Sequence, residues 1–132
     1  MSWHNRDITK AYNASGVIAA YTVVKFGAND TTVSPAAAVS DLLFGVANEL
    51  GISAADATAG ATIDVIIDGV AEALAGAAIT RGSRLTVDAN GRVVAAAPAA
   101  GTNNQIIGIA LKSAGAANDV IPILIAPGTV QG

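Results

Sequence analysis

A chain of 132 residues is long enough for one compact domain and too short for two ordinary ones. Hydrophobic residues make up 52% and mean hydropathy is +0.53, yet no apolar run approaches the ~18 residues of a membrane span, and Met1–Lys10 is polar with no leader-like apolar stretch behind it. A net charge of -3 with seven scattered Lys and Arg points away from nucleic acid, and zero Cys excludes disulfides, thiol nucleophiles and thiolate metal sites.

Roughly a quarter of the residues are Ala and only 4% are aromatic, so the core of a lone subunit would be thin. The apolar excess has no membrane to enter. It belongs at a subunit interface, and assembly is expected to contribute to stability.

Residues 1–16 are polar and without period, and read as an N-terminal arm preceding a β domain over 17–132. The arm holds the chain's one Trp, Trp3, a residue type favoured at interfaces, and Ser2, Trp3, His4, Asn5, Arg6 and Ile8 are its candidate contacts with a partner. Val17–Phe26 is β-branched and aromatic and is expected as a strand; Asn29–Pro35 is a turn-rich link. Ala36–Leu50 fits a helical stripe, but Phe44-Gly45-Val46-Ala47 is echoed by Ile107-Gly108-Ile109-Ala110, which favours a strand over 42–48. The echo extends further: residues 42–69 and 105–128 both run apolar pair, Gly, apolar, Ala, small-residue loop, Asp-Val-Ile and a strand ending in Gly. A duplicated strand–loop–strand unit within one β domain follows, with a helical turn at Ser53–Ala57 in the first, longer loop.

Ile63–Leu74 alternates, then changes phase after Gly69, where Val70 and Leu74 take the apolar parity; a bulge at Asp68-Gly69 accounts for it. Arg84–Ala96 is a hairpin: Asp88 suits the first position of a type I turn and Gly91 the last, Asn90 lies between them, and Asp88 and Arg92 flank the loop with opposite charges. Pro98–Asn104 is a loop. Gln105–Leu111 and Val120–Ala126 complete the sheet, with Pro122 at an edge or bulge.

Chemistry is sparse. The single His, His4, sits in the arm, a poor frame for catalytic geometry that must hold to about 0.5 Å. Asp64 and Asp68 lie four residues apart on a strand, about 13 Å, beyond the roughly 5–9.5 Å of glycosidase pairs. Gly45–Gly51 lacks the Lys of a phosphate loop, and Asp64–Gly69 lacks a calcium ligand series. Asn13-Ala14-Ser15 and Asn29-Asp30-Thr31 match the glycosylation sequon by chance. Tyr12, Tyr21, Phe26 and Phe44 are too few to make a sugar site. No catalytic, metal or cofactor site is expected, and the chain is not expected to be an enzyme.

AGAAITRGSRLTVDANGRVVAAA, followed by QIIGIALKSAGAANDVIPILIAPG, resembles the small Ala/Gly-rich head decoration, or capsid cement, proteins of tailed bacteriophages. The likeness is clearest over residues 60–128 and weaker over 42–59. Where such sequences often carry an acid after the Gly of the Ile-Thr-x-Gly stretch, this chain has Ser83 after Gly82. The resemblance implies a small all-β barrel or sandwich with an extended N-terminal arm and at most one short helix. It also implies self-association, commonly as a homotrimer, on the exterior of the virion head, and binding to the major capsid protein that stabilises the expanded shell. A surface-displayed adhesin or glycan-binding β module is the alternative.

Overall fold

The phase change at Asp68-Gly69 is the pivot of the fold. The computed structural model describes residues 8–48, 50–58 and 60–132. The first strands are β1 (Ile8–Ala14), β2 (Val23–Phe26), β3 (Thr32–Pro35), β4 (Leu43–Ala47) and β5 (Thr62–Asp68), with a single helical turn, α1 (Ala54–Thr58), between β4 and β5. They close a barrel in the order β1-β3-β2-β4-β5. Gly69, at φ 91°, then redirects the chain into β6 (Val70–Leu74), which joins a second sheet. That sheet adds β7 (Arg84–Val87), β8 (Val93–Ala95), β9 (Asn103–Ala110) and β10 (Val120–Gln131) in the order β6-β10-β9-β7-β8. The structure is all-β apart from α1, as the sequence implies.

Several boundaries differ from the sequence reading. Residues 8–14, read as arm, form β1, which pairs with β5 on one side and β3 on the other. No residue of β1 is fully buried, and only Tyr12 and Ala14 are half-buried, so the strand carries little apolar signal. Val17–Phe26 is not one strand: Ile18 makes an isolated bridge to Ile52, Tyr21 takes a left-handed φ of 61°, and only Val23–Phe26 pairs. The expected link at Asn29–Pro35 contains β3. Past Gly69 the inward residues are Ala71 and Ala73, while Val70 and Leu74 are half-buried, because small side chains occupy the tightest contact. Pro122 sits one step beyond the last β10–β9 pair at that end, Ile123 with Ala110, where its missing N–H meets no strand. Pro127 lies in the register shift between Ile125 and Gly128.

The duplication extends to the whole described chain. In β2 and β3, Val24, Lys25 and Phe26 face Pro35, Ser34 and Val33; in β7 and β8, Leu85, Thr86 and Val87 face Ala95, Val94 and Val93. Val23–Val46 and Val24–Gly45 correspond to Arg84–Ile109 and Leu85–Gly108. Ala47–Val65 and Val46–Ile66 correspond to Ala110–Ile123 and Ile109–Leu124, so the sequence match at Asp-Val-Ile is offset by three residues from the structural one. Lys10–Val65 corresponds to Ala71–Ile123, which makes β1 the counterpart of β6. The parallel closure Ala14–Val33 recurs as the single parallel bridge Ala75–Val93, and Ile18–Ile52 as Ile79–Ala114. Three residues after those bridges stand Tyr21 and Gly82, both at positive φ.

Two cores follow. Ile18, Val24, Val33, Ala47, Ile52, Ile63 and Val65 fill the first repeat. Their counterparts Ile79, Leu85, Val93, Ala110, Ala114, Ile121 and Ile123 fill the second. The second core also takes in Val23, Ala36, Leu43 and Val46 from the first repeat, so the two are packed as one body. Asp41 supports that joint. Its carboxylate accepts the Ala37 and Ala38 amides at 2.9 and 3.0 Å, shaping the segment from which the Val39 carbonyl accepts Gln105 N–H. Burial pushes the Asp41 carboxyl up, but the Ala37 and Ala38 amides and Lys25 outweigh it and hold the group below the usual carboxylate range. A depressed carboxyl stabilises the fold above its unfolded value, near 3.9, and loses that contribution as pH falls through the folded value. Asp41→Ala is therefore expected to cost about 1 kcal/mol at neutral pH, with the difference from the parent shrinking below about pH 4 in urea titrations.

One buried group is unsatisfied: the Thr86 hydroxyl has no hydrogen-bond partner among the described residues and the residue is 2% exposed. Thr86→Val keeps the shape and removes the orphaned polar atom, and is expected to raise stability by about 1 kcal/mol, read as a higher urea midpoint at unchanged slope.

Candidate functional site

Side chains with exposed apolar surface gather on one face of the barrel. Tyr12 on β1, Phe26 on β2 and Phe44 on β4 come together because these strands place them on the same side of neighbouring ladders. Phe26 and Phe44 stack with centroids 4.3 Å apart and planes 5° apart, and Tyr12 meets Phe44 edge-on at 5.5 Å. The Lys10 ammonium lies 5.4 Å from the Tyr12 ring centre. Beside the rings a shallow depression is bounded by Lys10, Tyr12, Phe26, Asn29 and Asp30. Phe26 is 58% exposed, and Ile8 and Leu42 are also largely open. By number alone these aromatics are too few for a sugar site; the pairing of β1 with β5 and of β2 with β4 brings three of them together, and Tyr21 stays outside the cluster.

The hairpin turn forms as its residues predict. The Asp88 carboxylate accepts the Asn90 and Arg92 amides at 2.9 and 3.0 Å and the Arg92 Nε at 2.8 Å. Arg92 also reaches Asn118 at 3.1 Å, and Gly91 takes φ 75°. Its tip is committed to the joint between repeats: the Gly91 carbonyl accepts Val23 N–H at 2.9 Å. Of the arm candidates, Ser2, Trp3, His4, Asn5 and Arg6 lie outside the described residues, while Ile8 opens β1 and is 55% exposed.

Asp64 and Asp68 are both exposed, at separate ladder positions opposite Ala11 and Ile8. Among the described residues no three His, Cys, Asp or Glu side chains gather as a metal site, and no helix is long and apolar enough to cross a membrane. The described residues also present an aromatic face on the first repeat and, on the second, a shallow groove lined by Arg84, Ala96, Ile109 and Val130.

The sequence profile of the phage cement proteins matches residues 4–125, and the chain belongs to that family. Its role is thus that of a capsid-associated structural protein of a bacteriophage. Among solved structures, the N base of the bacteriophage phi29 head fiber gp8.5 shares the fold, with a TM-score of 0.66 at 17% identity over 96% of this chain and 100% of that one. Among curated protein sequences none matches.

Proposed function

We propose that this protein is a decoration protein that binds the outer surface of the expanded head, contacts the major capsid protein and stabilises the shell against internal DNA pressure, acting as a homotrimer and without catalysis. The family match over residues 4–125 is the observation that carries this reading. The mechanism is linkage. A ligand that binds only the expanded lattice stabilises that state by mass action, and many identical weak contacts sum through multivalency. The N-terminal residues are the proposed capsid contact, with Trp3 as anchor and Ser2, His4, Asn5, Arg6 and Ile8 around it.

Co-sedimentation with undecorated, expanded heads tests the reading, with bound copies counted per capsid subunit. Saturation at a fixed ratio, with little binding to unexpanded shells, is expected; no binding at micromolar concentration would sink it. Removal of residues 1–7 is expected to weaken head binding at least tenfold while leaving the fold intact, since β1 (Ile8–Ala14) and its pairings with β3 and β5 are retained. Unchanged binding by the truncated chain would refute the contact assigned to the N-terminus.

A further inference from the structure

The two repeats meet through unlike faces. The first contributes Val23, Ala36, Leu43 and Val46, which can be called its back; the second contributes Ala73, Val87, Ile107 and Ile125, its front. All eight lie in one buried cluster. Among the described residues, backbone hydrogen bonds cross the joint from Leu74 N–H to the Tyr21 carbonyl (2.9 Å), Val23 N–H to the Gly91 carbonyl (2.9 Å) and Gln105 N–H to the Val39 carbonyl (2.8 Å).

Because the chain is duplicated, each repeat carries both faces and one of each is unused. The uncovered front belongs to the first repeat: Tyr12, Phe26, Phe44 and Ile67 are the register counterparts of Ala73, Val87, Ile107 and Ile125; Tyr12, Phe44 and Ile67 rest half-buried on that repeat's own core, and Phe26 stands out from it. Phe26 is 58% exposed where Val87 is 2% exposed, and Leu42, the counterpart of Gln105, is 63% exposed. The back of the second repeat is formed by Arg84, Ala96 and Ile109, the counterparts of Val23, Ala36 and Val46; Arg84 is exposed and Ala96 and Ile109 are half-buried, while Ile106, the counterpart of Leu43, is itself buried at 7%. Arg84 and Ile109 border both shallow grooves on that side.

We propose that the free front of the first repeat docks on the free back of the second repeat in another copy of this chain, reproducing between chains the joint that exists within one. The internal joint shows that these two surface types fit. The charges agree: Val23 meets the hairpin tip at Gly91, whose counterpart is Thr31, so Arg84 of one chain comes to the loop that carries Asp30 of the next. Neither the Arg84 guanidinium nor the Asp30 carboxylate forms an ion pair among the described residues. The exposed Phe26 ring offers the guanidinium a further partner. Such a contact is head-to-tail, and repeating it closes a ring or extends a filament. The inference rests on the self-association in the reading above, not on its capsid contact, and is tested on the purified chain alone.

Light scattering on a sizing column gives the test. The full chain at micromolar concentration is expected to run as a discrete multiple of 12.9 kDa. Phe26→Asp removes the front and Arg84→Glu the back; each is expected to weaken association by at least about 30-fold, leaving single chains with parental circular dichroism. The two variants mixed are expected to form a one-to-one dimer and nothing larger, since one intact front then meets one intact back. A parent of single-chain mass, a variant that keeps the parental mass, or a mixture that stays monomeric would each overturn the proposal. So would a parent that associates only after residues 1–7 are removed, which would make the chain's own terminus the cover of the aromatic face.

Discussion

Gly108→Ala is expected to lower the unfolding free energy by about 3 kcal/mol or more and the melting temperature by about 10 °C. A Cβ at this position would land on the carbonyl oxygen of Leu124, with the Leu124 carbonyl carbon at 2.9 Å and Ala126 N at 3.1 Å. All three are backbone atoms of β10. They cannot yield easily, because β10 lies between β9 and β6 and is hydrogen-bonded to both. Gly45, the counterpart in the first repeat, is expected to cost less when replaced by alanine. Its new Cβ would meet a methyl of the buried Val65 and the Ile66 carbonyl oxygen at 2.8 Å, a longer approach to backbone than at Gly108. Gly16→Ala, with no atom within 4 Å and no positive φ recorded, is the control and is expected within about 0.5 kcal/mol of the parent. Guanidinium titrations of the three variants would measure this order. A Gly108→Ala chain within 1 kcal/mol of the parent would show that β10 gives way.

The close approach at these two glycines also explains what was legible in the sequence. Phe44-Gly45-Val46-Ala47 and Ile107-Gly108-Ile109-Ala110 match because both must pass a neighbouring carbonyl, Ile66 in one repeat and Leu124 in the other, and only Gly allows it. The hairpin was legible because its turn is encoded locally, by Asp88 and Gly91. The remainder of the duplication is carried by ladder register, which does not require particular side chains. Lys10 corresponds to Ala71 and Arg84 to Val23, and loops of different length between strands shift the spacing from one pair to the next. β1 was missed for a related reason. Its counterpart β6 is packed against the first repeat, whereas β1 rests only Tyr12 and Ala14 on its own repeat's core and leaves its other residues exposed, so polar residues are tolerated along it. The aromatic cluster needs contacts between strands distant in sequence, and three isolated rings carried no period to find.

The asymmetry between the repeats gives an introduced aspartate very different costs at two equivalent sites. Val87→Asp is expected to cost more than about 4 kcal/mol and to leave little folded protein. Val87 is 2% exposed in the core shared by the repeats, and a carboxylate there would be buried among apolar groups. Phe26→Asp places the same carboxylate at the matching register position, opposite Val33 as Val87 is opposite Val93. Phe26 is 58% exposed, so the charge stays hydrated and the stability cost is expected to be near 1 kcal/mol, mostly the lost stack on Phe44. What separates the two sites is the packing of a neighbouring repeat and nothing local to the strands. A soluble-expression comparison and urea titration of both variants would measure the contrast. If Val87→Asp folds with near-parental stability, the repeats are not one cooperative body, and the buried joint cannot serve as the template for a joint between chains. If Phe26→Asp also fails to fold, the aromatic face is part of the first repeat's own core rather than a surface awaiting a partner.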